Sequence, residues 1–164
     1  VATHVDEMAR GQAEHLMPML EEFLGQKDKT WSDLTRIGVG IGPGNFTGIR
    51  ISVSAARGLA LGLDVPAVGI STLDALHHLH PGQTVAVTAP RDMIYAQFPG
   101  AAPSLITARD APDAIFSDDP HALIGALAEV AAHSDINRGA RPKPLYIKPA
   151  DAAPARDTAP VILP

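Results

Sequence analysis

Apolar positions recur along the chain with two different periods, and the changes between them mark its elements. Gln12 to Leu24 carries Leu16, Met17, Met19, Leu20, Phe23 and Leu24 at helical spacing, with Gly25 as the stop. Pro18 inside that run predicts a bend or an interruption. From Leu34 to Ile41 the pattern becomes that of a short strand, which ends at Gly42-Pro43-Gly44. Thr47 to Leu63 places Ile49, Val53, Ala56 and Ala60 on one face, with Ile51, Ala55, Leu59 and Leu63 beside them. A helix apolar over so much of its girth belongs between a sheet and another element. Pro66 to Ser71 reads as a second strand. Strand, glycine turn, helix and strand in that order predict a parallel crossover unit. Ser71 or Thr72 then caps a short helix to about Leu79.

Beyond Pro81-Gly82 the style shifts. Gln83 to Ala89 and Met93 to Phe98 predict a hairpin around Pro90-Arg91-Asp92, and Ser104 to Thr107 a further strand. Pro120 to His133 is a helix with Asp119 as its cap, Pro120 at its first position, and Leu123, Ile124, Leu127 and Val130 on one face. The six prolines between Arg141 and Pro164 predict an extended tail anchored at Leu145-Tyr146-Ile147. At the other end, Val1 to Val5 reads as one strand with no partner before it, so further sheet is expected upstream. The expected organisation is a first lobe over 1–80 (strand, helix, strand, helix, strand, helix), a small second lobe over 81–140, and a Pro-rich tail over 141–164.

Composition sharpens this α/β reading. Apolar residues make up 46% of the 164, yet only seven are aromatic, so the interior is filled by Ala, Val, Ile and Leu, as in a helix-covered sheet. Eighteen acidic against thirteen basic side chains leave a formal charge of -5. With no Lys/Arg stripe, direct tight binding of nucleic acid by this chain alone is disfavoured. The absence of cysteine removes thiol catalysis, disulfides and zinc-thiolate sites, and fits a reducing compartment such as the cytoplasm. The most apolar stretch, Ile51 to Leu63, contains Arg57 and is too short to span a membrane.

Local chemistry is sparse. The loop from Gly38 to Arg50 lies between a strand and a helix start, where glycines permit close approach and free amides favour an anion. Gly42, Gly44, Thr47, Gly48 and Arg50 are therefore candidates for contact with a nucleotide phosphate. A purely structural turn is the other reading, since no Lys-Ser/Thr follows the glycines. Arg50 and Arg57 are seven apart and face roughly the same way. His77, His78 and His80 are clustered, but no third metal ligand of suitable spacing accompanies them. The carboxylates fall at caps, turns and helix faces, and Ser52 and Ser54 lack a nucleophile elbow. No catalytic or metal-binding set emerges.

The segments Gly11 to Leu20, Gly40-Ile41-Gly42-Pro43-Gly44-Asn45-Phe46-Thr47-Gly48-Ile49-Arg50-Ile51, Ala55-Ala56-Arg57-Gly58-Leu59-Ala60 and Pro66 to Leu73 together resemble the TsaB family, also called YeaZ. The likeness extends over roughly Gly11 to Phe98. Pro144-Leu145-Tyr146-Ile147-Lys148 is similar to that family's closing Pro-x-Tyr-Leu-Arg motif. The resemblance implies the actin-like ATPase (ribonuclease H-like) two-lobe fold, here without the first strands, which in the family bear Asp-Thr-Ser and a hairpin. It also implies a non-catalytic role: pairing with the catalytic subunit TsaD, and through that complex with TsaE, while threonylcarbamoyl is installed on tRNA adenosine.

On this reading the chain needs no cofactor of its own, ATP or ADP and metal reside on partner subunits, and tRNA is met indirectly. TsaD carries two metal-binding histidines at positions that correspond here to Thr72 and Leu76, and neither side chain replaces imidazole. Family members also tend to show Asp-Ala-Arg-Arg where this chain has Thr88-Ala89-Pro90-Arg91. The expected partner surface is the first two helices, through His15, Leu16, Met19, Leu20, Phe23, Arg50, Ala56 and Arg57, with homodimerisation over related surfaces in isolation. The alternatives are an ATP-binding phosphotransfer enzyme of the actin-like type and a glycoprotease-like peptidase.

Overall fold

The computed structural model describes residues 1–8, 10–135 and 141–147. The closing motif from Lys148 onward and most of the expected tail lie outside them.

Helix α1 runs from Gln12 to Gly25 and continues through Pro18, so the expected interruption is absent. A proline costs the helix one amide bond, and here it stands on the exposed side while Leu16, Met19, Leu20 and Phe23 are half buried. Strand β1, Ile37–Gly40, is shorter than the apolar run because Trp31–Asp33 forms a 3₁₀ turn closed by a capping box between Thr30 and Asp33. Helix α2, Phe46–Leu63, is capped by Asn45, whose side chain accepts from the Gly48 amide. Strand β2, Ala67–Ile70, pairs parallel with β1 in the register Ile37 to Ala67 through Gly40 to Ile70, completing the crossover unit. Helix α3, Thr72–Leu79, begins with a Ser71–Asp74 capping box.

β3 (Val85–Thr88), β4 (Met93–Gln97) and β5 (Ser104–Thr107) form an antiparallel sheet in that order. Arg91 and Asp92 adopt positive φ of 63° and 56° at the predicted hairpin turn. Helix α4, Pro120–His133, opens with the Asp119 carboxylate accepting from the His121 and Ala122 amides.

Two features depart from the sequence reading. Val1 to Val5 forms no strand. Side chains pin it instead: Thr3 to His121 at 2.8 Å, the His4 ring 5.9 Å from that of Phe23, and Asp6 to His15 at 2.6 Å. Helix α4, expected in the second lobe, packs against α3 and the β1–β2 sheet. Gly38 makes this possible, because a Cβ there would come within 2.6 Å of the Ala131 Cβ.

Three apolar clusters hold these layers. Val39, Val53 and Ala56 join β1 to α2; Leu73, Leu76 and Val85 join α3 to β3; and Ala86, Ile94, Ala96 and Ala111 lie under the antiparallel sheet. Arg36 adds a polar tie that no local pattern announces. Its guanidinium donates to the carbonyls of Ala131, Ala132 and Ser134, the open end of α4.

Candidate functional site

The glycine loop is a joint between β1 and α2 whose polar groups are largely engaged. Gly42, at φ 96°, is buried, and its carbonyl accepts from the Thr72 amide at 2.9 Å. The Thr72 hydroxyl donates to the Pro43 carbonyl at 3.1 Å. The Gly48 amide donates to Asn45 Oδ1 at 2.8 Å, occupying the helix end where an anion would sit. Gly44 and Thr47 remain exposed.

Arg50 turns away from the loop's amides. Its guanidinium lies 3.8 Å over the Phe46 ring, and its Nε donates to the Tyr146 hydroxyl at 3.2 Å. Phe46 and Tyr146 are each about half exposed, 52% and 53%, so this stack is a surface feature. It ties the start of α2 to the anchor Leu145-Tyr146-Ile147, whose Leu145 amide also donates to the Ile41 carbonyl. The five loop candidates therefore do not converge on one empty anion cradle.

The positions that correspond to metal-binding histidines in the resemblance lie on α3, one turn apart. Thr72 is committed to the loop, and Leu76 is 1% exposed in the core with Leu73 and Val85. The neighbouring histidines diverge. His77 Nε2 meets the Gln83 carbonyl at 3.1 Å, His78 Nε2 meets Glu129 at 2.8 Å, and the His80 amide closes the helix on Leu76. Among the described residues no three His, Cys, Asp or Glu side chains group as metal ligands.

Four of the carboxylates have structural partners of two kinds: Asp74 and Asp119 cap helices, and Asp6 and Glu129 pair with histidines. The backbone amide of Thr30, aided by its hydroxyl, holds the Asp33 carboxyl below the usual aspartate range. Ser52 donates to the Ile49 carbonyl, as an in-helix hydroxyl does, with no base beside it.

The expected partner residues are brought partly together. Leu16, Met19, Leu20 and Phe23 of α1 face Ser52, Ala55 and Leu59 of α2 across an apolar slot of about 340 Å³, whose floor is β1. His15, next to Leu16 on α1, is tied to Asp6. Arg57 is exposed and lines a separate notch with Arg141. Ala56 is 5% exposed, packed with Val39 and Val53, and forms part of the slot's inner lining. Sequence reading passed over Leu61, which stands 82% exposed on the outer side of α2.

Comparison with known proteins puts this geometry in context. The model of a family described as "TsaD: tRNA N6-adenosine threonylcarbamoyltransferase" matches residues 6–109. The tRNA threonylcarbamoyladenosine biosynthesis protein TsaB of Escherichia coli K12 is 37% identical over 73 residues, 44% of this chain and 32% of that protein. The protein of the same name from Haemophilus influenzae is 34% identical over 100 residues, 57% of this chain and 42% of that one. The matches thus span well under half the length of these curated relatives. Among solved structures, YeaZ from Pseudomonas aeruginosa superposes with a TM-score of 0.66 at 20% identity, covering 87% of each chain, which shows a shared fold. No helix among the described residues is long and apolar enough to cross a membrane.

Proposed function

The chain belongs to the family of tRNA N6-adenosine threonylcarbamoyltransferases, and from that premise we propose that it stands within it beside TsaB/YeaZ, as a non-catalytic subunit supporting a TsaD-type partner in threonylcarbamoylation of tRNA adenosine. The observation that carries this reading is the state of α3. Where the catalytic relative would place two imidazoles, Thr72 is bound to a backbone carbonyl and Leu76 is sealed in the core. A chain without those ligands cannot supply the metal-held nucleotide the transfer uses. Its contribution is then to shape a neighbour.

The docking surface is α1 with α2. Leu16, Met19, Leu20 and Phe23 line the slot, His15 precedes them on α1, and Arg50 and Arg57 are exposed on α2, Arg57 in the neighbouring notch that exposed Leu61 also lines. An apolar slot between two helices is a surface that a protein partner can cover. In this reading TsaE is reached through the complex, tRNA is met only indirectly, ATP or ADP and metal sit on the partner subunits, the compartment is the cytoplasm, and the isolated chain pairs with itself over the same helices. Phosphotransfer at the glycine loop is disfavoured by the Gly48 amide being already taken, and peptidase chemistry by the hydroxyls: Ser52 bonds a backbone carbonyl, and the Thr3–His121 pair stands exposed at the surface.

The test is reconstitution of tRNA modification from TsaD, TsaE, tRNA, threonine, bicarbonate and ATP, with and without this chain. Product formation should depend on the chain and fall when Leu20→Asp weakens binding to TsaD in a pull-down. Modification that proceeds equally without the chain would refute the assignment.

A further inference from the structure

Arg50 is anchored by aromatic side chains and by no group of opposite charge. Its guanidinium stacks 3.8 Å over the Phe46 ring, and its Nε donates to the Tyr146 hydroxyl at 3.2 Å. The two rings lie 5.9 Å apart at 40°, one covering a face of the cation and the other holding an edge. Tyr146 is itself fixed by its neighbours. The Leu145 amide donates to the Ile41 carbonyl, and Ile147 packs against the cluster of Leu73, Leu76 and Val85. All three members of the stack belong to α2 and the segment 141–147, not to the outer edge of β1.

One end of the guanidinium is left over. With Nε engaged, the N–H groups of Nη1 and Nη2 meet no acceptor among the described residues, and Arg50 is exposed. The chain has eighteen acidic side chains, yet the ion pairs among the described residues, His15–Asp6 and His78–Glu129, lie elsewhere. A planar fork with two parallel N–H groups fits both oxygens of one carboxylate or phosphate. Because the stack already holds the stem, little side-chain freedom is lost on binding.

The surroundings decide between the two anions. A nucleic-acid backbone is held by several cations acting together. Arg50 stands instead in a chain of net charge -5, and Arg57, further along α2, lines a different notch. A single stacked arginine beside half-exposed Phe46 and Tyr146 is the composition of a protein contact. We propose that Arg50 is a preset clamp for one Asp or Glu carboxylate of the catalytic partner, with Tyr146 as its positioning residue. This rests on the reading of the chain as a supporting subunit, and gives the docking surface a polar end. The apolar slot supplies contact area, and the clamp fixes the partner's register along α2.

The experiment measures the affinity of the full chain for the TsaD-type partner by calorimetry, with thermal unfolding of each variant as the check on folding. Arg50→Gln should weaken binding at least about tenfold, and Arg50→Lys, which keeps the charge but not the fork, by nearly as much. Where Arg50→Gln lowers the unfolding midpoint, the Lys variant carries the comparison. Tyr146→Phe keeps the ring and loses the hydroxyl; it should weaken binding about threefold in the wild type and have no effect in the Arg50→Gln background. Equal losses in both backgrounds would mean that Tyr146 acts on the fold, and overturn its positioning role. A wild-type chain that leaves the partner unbound refutes the supporting-subunit reading and the clamp with it. Binding that Arg50→Gln leaves within about twofold of wild type overturns the clamp alone. So does a loss of tRNA binding by Arg50→Gln at unchanged partner affinity, which assigns the fork to a phosphate. If Asp151→Asn with Asp157→Asn weakens binding as Arg50→Gln does, the carboxylate is this chain's own and the proposal falls.

Discussion

Replacing Arg36 with Met keeps an unbranched stem of similar length and removes the guanidinium from the end of α4. One nitrogen, Nη1, reaches three carbonyls, those of Ala131, Ala132 at 2.8 Å and Ser134 at 2.9 Å. It carries only two hydrogens, so the three acceptors share two bonds. The site is part-exposed, which brings each bond below the usual range for a charged donor, to about 1 kcal/mol. A cation at a helix C-terminus adds roughly 0.5 kcal/mol. The expected loss for Arg36→Met is therefore about 2–3 kcal/mol, read from urea unfolding at unchanged slope.

Arg36→Lys separates the contributions. It retains the charge but not the planar fork, and should recover only the helix-end part, about 0.5 kcal/mol. Amides of the last turn of α4 should exchange faster in both variants. A Met variant within about 0.5 kcal/mol of wild type would show that solvent replaces these bonds at no cost. A Lys variant as stable as wild type would show that charge alone is what the helix end needs.

Three further outcomes follow from the packing and the caps. Gly38→Ala brings a Cβ to 2.6 Å from Ala131 and should cost about 1–3 kcal/mol; Ala131→Gly in the same chain should recover part of it, and additive losses would disprove the contact. Leu76→Ala, at a side chain 1% exposed, should cost about 2–5 kcal/mol by thermal unfolding, and a loss below about 1 kcal/mol would mean the cluster under α3 collapses freely. The Asp33 carboxyl should titrate below the ordinary aspartate range, because the Thr30 amide and hydroxyl bond its ionised form. Its folded pKa is thus below the unfolded one, so its small contribution is present above the ordinary range and fades as pH falls through the lowered value. A carbon-detected titration at or above the ordinary midpoint would contradict this.

What could be read in the sequence was whatever depends on neighbours in the chain. The α2 stripe, the Ser71 and Asp119 caps, Pro120 at a helix start and the turn at Pro90-Arg91-Asp92 all act within a few residues, and the structure has them where the pattern put them. What escaped depends on long-range closeness. Gly38 looks like part of a loop signature, yet its missing side chain makes room for Ala131, and that contact draws α4 onto the first sheet. Arg36 looks like a strand residue facing water until α4 ends beside it. Arg50 was a candidate for anions, but Phe46, one turn before it, and Tyr146, 96 residues after it, claim its guanidinium. Val1 to Val5 has strand chemistry, but a strand exists only where a partner backbone does.

The α3 positions allow the division of labour to be tested from the other direction. Residues four apart on a helix share a face, so Thr72→His with Leu76→His would restore the spacing of a two-histidine metal site. If this chain were a catalytic relative that had merely lost two ligands, the double variant would take up zinc without losing its fold. The structure argues otherwise. Leu76 is packed against Leu73 and Val85, so an imidazole there replaces packing with a polar group that has no partner. Lost packing and an unsatisfied nitrogen together should cost roughly 3–5 kcal/mol. Thr72→His alone gives up one hydroxyl bond to Pro43 and should cost about 1 kcal/mol. We expect the double variant to be strongly destabilised and to hold zinc no better than wild type in equilibrium dialysis. A stable double variant that binds one zinc would mean that the core under α3 still accommodates a metal site, and the argument from Leu76 to a supporting role would fail.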